Sequence, residues 1–185
     1  MSAGRHLNEA LAAEREAFEA LLARRSAEAA LDRARLAYLA SHAESGPRSW
    51  GRLVGALKMA ILAGHEVDST ARLAVAETEA VEPTPAMAYA RALAQVALGD
   101  PADVSPMLEA GEAFDRTGRA LQALADGDQP AYRAALLEIV ADFEARDSHL
   151  SGVPIADTAL VLERLAAERG MTVHPDTALL PVSSA

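Results

Sequence analysis

Alanine narrows the possible folds of this sequence more than any other feature, because it accounts for 44 of the 185 residues. It has the highest intrinsic helix propensity, since its side chain loses no rotamer freedom when a helix forms. Aromatic residues, which favour strands, make up only 4% of the chain. Apolar residues recur at helical spacing, and no strand-like alternation of useful length occurs. The sequence therefore predicts an all-α protein.

Turn residues divide the helical pattern at intervals of about fifteen to twenty-five positions. We expect an irregular stack of about seven or eight antiparallel helices joined by short loops, with helical hairpins as in tetratricopeptide proteins. Gly99 and Gly127, at the centres of two turns, lie 28 positions apart, whereas tetratricopeptide repeats recur every 34 residues or so. One domain over residues 1–170 and an extended tail over residues 171–185 are the predicted organisation.

The strongest apolar stripe of the sequence begins directly after a turn, and it consists of Trp50, Leu53, Val54, Leu57 and Ile61. We expect the helix that carries this stripe to lie at the centre of the core. Gly51 and Gly55 lie beside this stripe and would permit a neighbouring helix to approach closely. Thr84 and Ser105 each precede a proline, the arrangement of an N-cap followed by the first helical residue. The pattern predicts a continuous helix from Ser105 to Ala125.

Negative charge is concentrated in the C-terminal half. Residues 99–185 carry six arginines against fifteen acids, a net charge of −9 within the total of −10. A field of this sign repels nucleic acid and attracts basic partners, and it also keeps a protein soluble. A tetracycline-repressor-type regulator would need a basic DNA-binding module, yet residues 1–42 carry six arginines against six acids. We expect no nucleic-acid partner.

The N-terminal residues contain no apolar run of signal-peptide length. The longest apolar stretch, Leu53–Ala63, is interrupted by Lys58 and is too short to span a bilayer. These features predict a cytoplasmic protein without a membrane partner.

No arrangement of residues that could catalyse a reaction is visible in the sequence. Cysteine is absent, which excludes thiolate catalysis and cysteine-ligated zinc. Helical metal sites place a glutamate three residues before a histidine, but no carboxylate precedes His42, His65 or His149 at that spacing. Neither a nucleophile elbow nor a phosphate-binding glycine loop occurs. We therefore expect no enzyme, no metal and no cofactor.

One acidic strip is a candidate for partner binding. Glu109, Glu112 and Asp115 lie three residues apart on one predicted helical face, and Arg116 and Arg119 are close to them in the sequence. The strip has two interpretations, a solvated face with internal ion pairs or a surface that contacts a partner.

The C-terminal third of the chain contains several short motifs. Ala125–Tyr132 runs into Ala135–Leu137, and after a polar loop a helix ends in Ala166–Gly170, before the closing Asp176–Pro181. Over residues 121–181 the chain thereby resembles the C-terminal part of the immunity protein 49 family, helical proteins associated with neutralising polymorphic toxins of bacteria. The resemblance implies stoichiometric inhibition, in which a pre-folded helical surface occludes the active site of a toxin.

An acidic half would suit a basic toxin domain, because opposite charges accelerate association. On this hypothesis the candidate partner-binding residues are acidic: Glu109, Glu112, Asp115, Asp126, Asp128, Asp142 and Asp147. The sequence thus favours a non-catalytic protein-binding protein of the inhibitor type. Two alternatives stay open, a helical adaptor that binds peptides in a groove and a small-molecule binder or enzyme with an unrecognised pocket.

Overall fold

The computed structural model describes residues 3–46, 49–79 and 82–181, and within these ranges the chain forms nine helices and no strand. They are α1 (Ala3–Leu22), α2 (Glu28–Ser45), α3 (Trp50–Ala63), α4 (Val67–Thr78), α5 (Pro85–Leu98), α6 (Ser105–Leu108), α7 (Glu112–Asp126), α8 (Gln129–Glu144) and α9 (Asp157–Ala167). The predicted all-α stack is confirmed. None of the described helices is both long and apolar enough to cross a membrane.

The helix expected from Ser105 to Ala125 is divided, so this prediction is wrong. Its first turn is α6, and Gly111 then adopts a φ of 102°, in the left-handed region that favours glycine, before α7 begins. Gly118 on α7 explains the break, because a Cβ added there would lie 3.2 Å from the Cβ of Met107 on α6. The alternation of large and small residues thus lets α6 pack back onto α7.

Helix α3 lies at the centre of the molecule, as the sequence predicts. All five residues of its apolar stripe are buried, and they belong to the larger of two hydrophobic clusters, with α5, α7, α8 and α9. Met59 and Ala56, also on α3, belong to the second cluster, with Phe18 of α1 and Leu31 of α2. One helix therefore joins the two halves of the core.

The close approach predicted at the two α3 glycines occurs at only one of them. A Cβ added at Gly55 would lie 2.9 Å from the ring of Tyr38 on α2, whereas a Cβ added at Gly51 would meet no atom within 4 Å. The prediction is confirmed for Gly55 and wrong for Gly51, since Tyr38 packs one turn further along α3.

This difference predicts opposite effects of the same substitution. Gly51→Ala should raise the free energy of unfolding by up to about 1 kcal/mol, the difference in helix propensity. Gly55→Ala should lower it by about 1 kcal/mol, because overpacking against the Tyr38 ring costs more than the propensity gains. Denaturant unfolding followed by circular dichroism measures both. Equal stabilisation by the two substitutions would contradict the close packing of α2 on α3.

Residues 171–181 form no helix and pack along α9, while residues 182–185 of the predicted tail lie outside the described part of the chain. The Glu163 carboxylate accepts hydrogen bonds from the backbone N–H groups of Val173 at 3.1 Å and His174 at 2.8 Å. It also accepts one from the Tyr132 hydroxyl of α8 at 2.8 Å. A single, largely buried carboxylate therefore attaches the tail to two helices.

Candidate functional site

A largely apolar groove that contains several charged side chains lies where α1, α2 and α3 approach α7, α8 and the start of α9. It consists of two adjoining cavities, of about 210 Å³ on the α7 side and about 280 Å³ on the α1 side. We call them the α7 cavity and the α1 cavity. Five residues line both of them: Lys58, Phe143, Arg146, Leu150 and Asp157.

Lys58 forms a largely buried ion pair between the two cavities. Its Nζ donates to Asp157 Oδ2 at 2.6 Å and to Thr158 Oγ1 at 3.0 Å, and it lies 5.8 Å from the centre of the Tyr89 ring. Burial alone would lower the pKa of Lys58, but the Asp157 carboxylate and Tyr89 outweigh it and raise the pKa above its ordinary value. Lys58 is therefore a charged link between α3 and α9, not an amine activated for nucleophilic attack.

Glu14 provides a second carboxylate in the α1 cavity, and it is only 8% exposed. The Tyr38 hydroxyl donates to its Oε2 at 2.9 Å, while its Oε1 accepts no hydrogen bond from the described residues. Burial raises the pKa of Glu14, and so does the nearby Asp157, although the Tyr38 hydrogen bond and Lys58 act in the opposite direction. The α1 cavity thus contains a carboxylate with one unused acceptor oxygen.

An aromatic and cationic stack borders the groove where α8 ends and the α8–α9 loop begins. The Arg146 guanidinium lies 3.8 Å from the centre of the Phe143 ring, and the His149 ring stacks on Phe143 at 6.1 Å. His149 Nδ1 is buried without a hydrogen-bond partner among the described residues. Next to it, Leu150 has a relative exposure of 101% and borders both cavities.

Three of the sequence-predicted acidic residues come together in an ion-pair network along α7 and α8. Arg116 contacts Glu112 at 3.3 Å and Asp142 at 2.8 Å. Asp142 also binds Arg146 at the groove. Arg119 pairs with Asp115 at 2.9 Å and with Glu138 of α8. Much of the predicted strip is therefore paired within the protein, which is the first of the two interpretations given above.

The other four candidates are dispersed. Asp126 accepts a hydrogen bond from Gln122 at 2.8 Å, and Asp128 caps α8 by accepting from the Ala131 N–H at 3.0 Å. Glu109 after α6 and Asp147 in the α8–α9 loop are exposed and form no ion pair among the described residues. Of these, Asp147 is adjacent in sequence to Arg146 at the groove.

Most residues of the groove were not predicted from the sequence, because the prediction was limited to acidic surface positions. Two carboxylates of the groove, Glu14 and Asp157, were also missed. The missed residues come from α1, α2, α3, α5, α7, α8, the α8–α9 loop and α9, and each has an ordinary local environment in the sequence. One signal was available, because Lys58 is the only lysine of the chain and interrupts its longest apolar stretch. A charge on a core helix indicates a partner or a cavity nearby.

No group of three or more His, Cys, Asp or Glu side chains in the described ranges is arranged to hold a metal ion. In comparisons with known proteins, no family model, curated protein or solved structure matches this chain.

Proposed function

We propose that this chain is a non-catalytic protein-binding protein of the inhibitor type, which neutralises a basic bacterial toxin in the cytoplasm by direct binding. The observation that carries the proposal is the fully exposed Leu150, which stands at the mouth of the groove beside the Arg146–Phe143 stack. Binding sites on proteins combine an apolar anchor with aromatic and arginine side chains inside a polar rim. The α8–α9 loop presents that combination.

The charge around the groove supports a basic partner. Residues 105–150 contain nine acids and four arginines, a net charge of −5, so the surface stays negative after every arginine is paired. Such a surface accelerates the approach of a positively charged protein and orients it. The resemblance of residues 121–181 to the immunity protein 49 family supports the same function, since it implies inhibition by a helical surface.

The proposal is tested by finding the partner and measuring what the complex does. A tagged full-length chain is recovered from its native host, and co-purifying proteins are identified by mass spectrometry. The partner is then expressed in bacteria with and without this chain. We expect the partner to be basic, to arrest growth alone and to form an equimolar complex that restores growth. A partner whose activity continues in the complex would overturn the proposal.

Charge reversal at the two acidic candidates without ion pairs tests the role of the rim. Glu109→Lys with Asp147→Lys should slow association with the partner by roughly tenfold at low salt, because electrostatic steering is lost. The association rate should also depend less on ionic strength, as stopped-flow fluorescence measures. Glu77→Lys with Glu79→Lys, which changes the charge equally at exposed positions on and just after α4, is the control. Equal slowing by both pairs would mean that only net charge matters.

A further inference from the structure

We infer that the α1 cavity receives a lysine or arginine side chain of the protein partner, with the Glu14 carboxylate as its principal acceptor. This inference rests on the proposed function and specifies the chemistry of the contact. The α1 cavity is open to solvent on one side and is lined by residues of α1, α2, α3, α8, the α8–α9 loop and the start of α9, with Leu150 of the loop among them.

The α1 cavity contains acceptor atoms that have no hydrogen-bond donor among the described residues, so it is suited to a ligand that donates hydrogen bonds. Lys58 Nζ already donates to Asp157 and Thr158, it lies 5.8 Å from the centre of the Tyr89 ring, and it forms no hydrogen bond to Glu14 among the described residues. Within the described ranges Glu14 Oε1 accepts no hydrogen bond, and His149 Nδ1 is buried without a partner and is an acceptor in the tautomer with its hydrogen on Nε2. An ammonium or guanidinium group consists of donors only, so it matches this set.

Glu14 also lacks a cationic partner of its own in the α1 cavity. It forms no ion pair among the described residues, and Lys58 in the same cavity is paired with Asp157. Arg146 at the entrance is already paired with Asp142. A buried carboxylate without a full counter-charge is costly, and an incoming cation relieves that cost.

The walls and size of the α1 cavity fit the aliphatic part of a long basic side chain. Apolar residues surround the carboxylate: Leu11, Phe18, Val54, Phe143 and Ile155. Lysine and arginine place their methylene groups against such surfaces while the charged end reaches a polar group. A volume of about 280 Å³ lies at the lower limit of ligand pockets, so one side chain suits it better than a larger ligand.

Binding of the cation should depend on pH in a defined direction. Burial raises the pKa of Glu14, so its proton is lost less readily than that of an exposed glutamate, and a bound cation favours the ionised form. Affinity should therefore fall as the pH decreases toward that raised pKa. The titratable and charged groups that line the same cavity are Tyr38, Lys58, Asp157, Arg146 and His149. Replacement of Glu14 tests whether this carboxylate is the source of the pH dependence.

The experiment titrates the full chain with two capped tripeptides, acetyl-Gly-Lys-Gly-amide and its norleucine counterpart, and follows amide chemical shifts by NMR. The lysine peptide should shift signals around the α1 cavity, and the norleucine peptide should leave them unchanged. Glu14→Gln, which keeps an acceptor for the Tyr38 hydroxyl, should weaken lysine-peptide binding by roughly tenfold and reduce its pH dependence. Glu19→Gln removes the same charge from the exposed face of α1 and should have no effect.

Each outcome decides the inference separately from the proposed function. Equal binding of both peptides, or equal loss in Glu14→Gln and Glu19→Gln, would overturn the inference even if a toxin partner is found. Selective binding of the lysine peptide that depends on Glu14 supports the site even if the co-purified partner is not a toxin. Thermal unfolding of Glu14→Gln confirms that the variant is folded before the peptides are compared.

Discussion

Asp157→Ala is expected to lower the free energy of unfolding by about 3 kcal/mol, because it leaves the Lys58 ammonium without its hydrogen-bonded counter-ion in a largely buried position. The Lys58 side chain is 12% exposed and that of Asp157 is 23% exposed. Removing one partner of such a pair costs far more than the pair itself contributes, since the remaining charge has been desolvated without compensation. Denaturant unfolding at neutral pH measures the loss.

A double-mutant cycle gives the control for this prediction. Lys58→Met removes the buried charge and should cost less than Asp157→Ala, since Asp157 remains partly exposed in the first turn of α9. The combined variant, Lys58→Met with Asp157→Ala, should recover a large part of the stability lost in Asp157→Ala. If the two single losses simply add, the two side chains are not coupled, and the ion pair does not join α3 to α9.

The parts of the fold that the sequence predicted are those set by local interactions. The stripe from Trp50 to Ile61 specified a central helix because five apolar residues at helical spacing leave few other environments for it. Thr84 accepts a hydrogen bond from the Met87 N–H at 3.3 Å and caps α5, as the threonine–proline pair predicted. Each of these signals acts within one or two helical turns.

The break at Gly111 was not predictable in the same way. The spacing of apolar residues from Met107 onward is compatible with one helix or with two that pack on each other. The close packing of Met107 against Gly118 requires two helices. This packing depends on a reversal of the chain direction, which helical periodicity does not encode. A glycine inside a helical pattern was the only local indication.

The groove is formed by residues that lie still further apart along the chain. Lys58 and Asp157 are 99 positions apart, and Glu14 and Tyr38 are 24 positions apart. No short motif specifies these pairs, because the helices that carry them meet only through the packing of the core. The acidic candidates were visible in the sequence as charges, whereas the Arg116–Asp142 pair that neutralises part of them forms only when α7 packs against α8.

Leu150→Ser is expected to weaken partner binding by roughly 30-fold or more without changing the unfolding midpoint. Anchor residues at the centre of an interface contribute most of its binding energy, and Leu150 borders both cavities of the groove. The side chain has a relative exposure of 101%, so its removal creates no cavity and leaves the free protein as stable as before. Isothermal titration calorimetry with the purified partner measures the affinity.

Serine is chosen because the substitution leaves the surface charge unchanged. A loss of affinity is then due to the lost apolar contact and not to weaker electrostatic attraction of the partner. Leu36→Ser is the matched control, because Leu36 is 52% exposed on α2 and lines neither cavity. We expect that variant to bind the partner with wild-type affinity. Equal affinities of the Leu150 and Leu36 variants would place the partner elsewhere on the surface, and the α8–α9 loop would then have no role as an anchor.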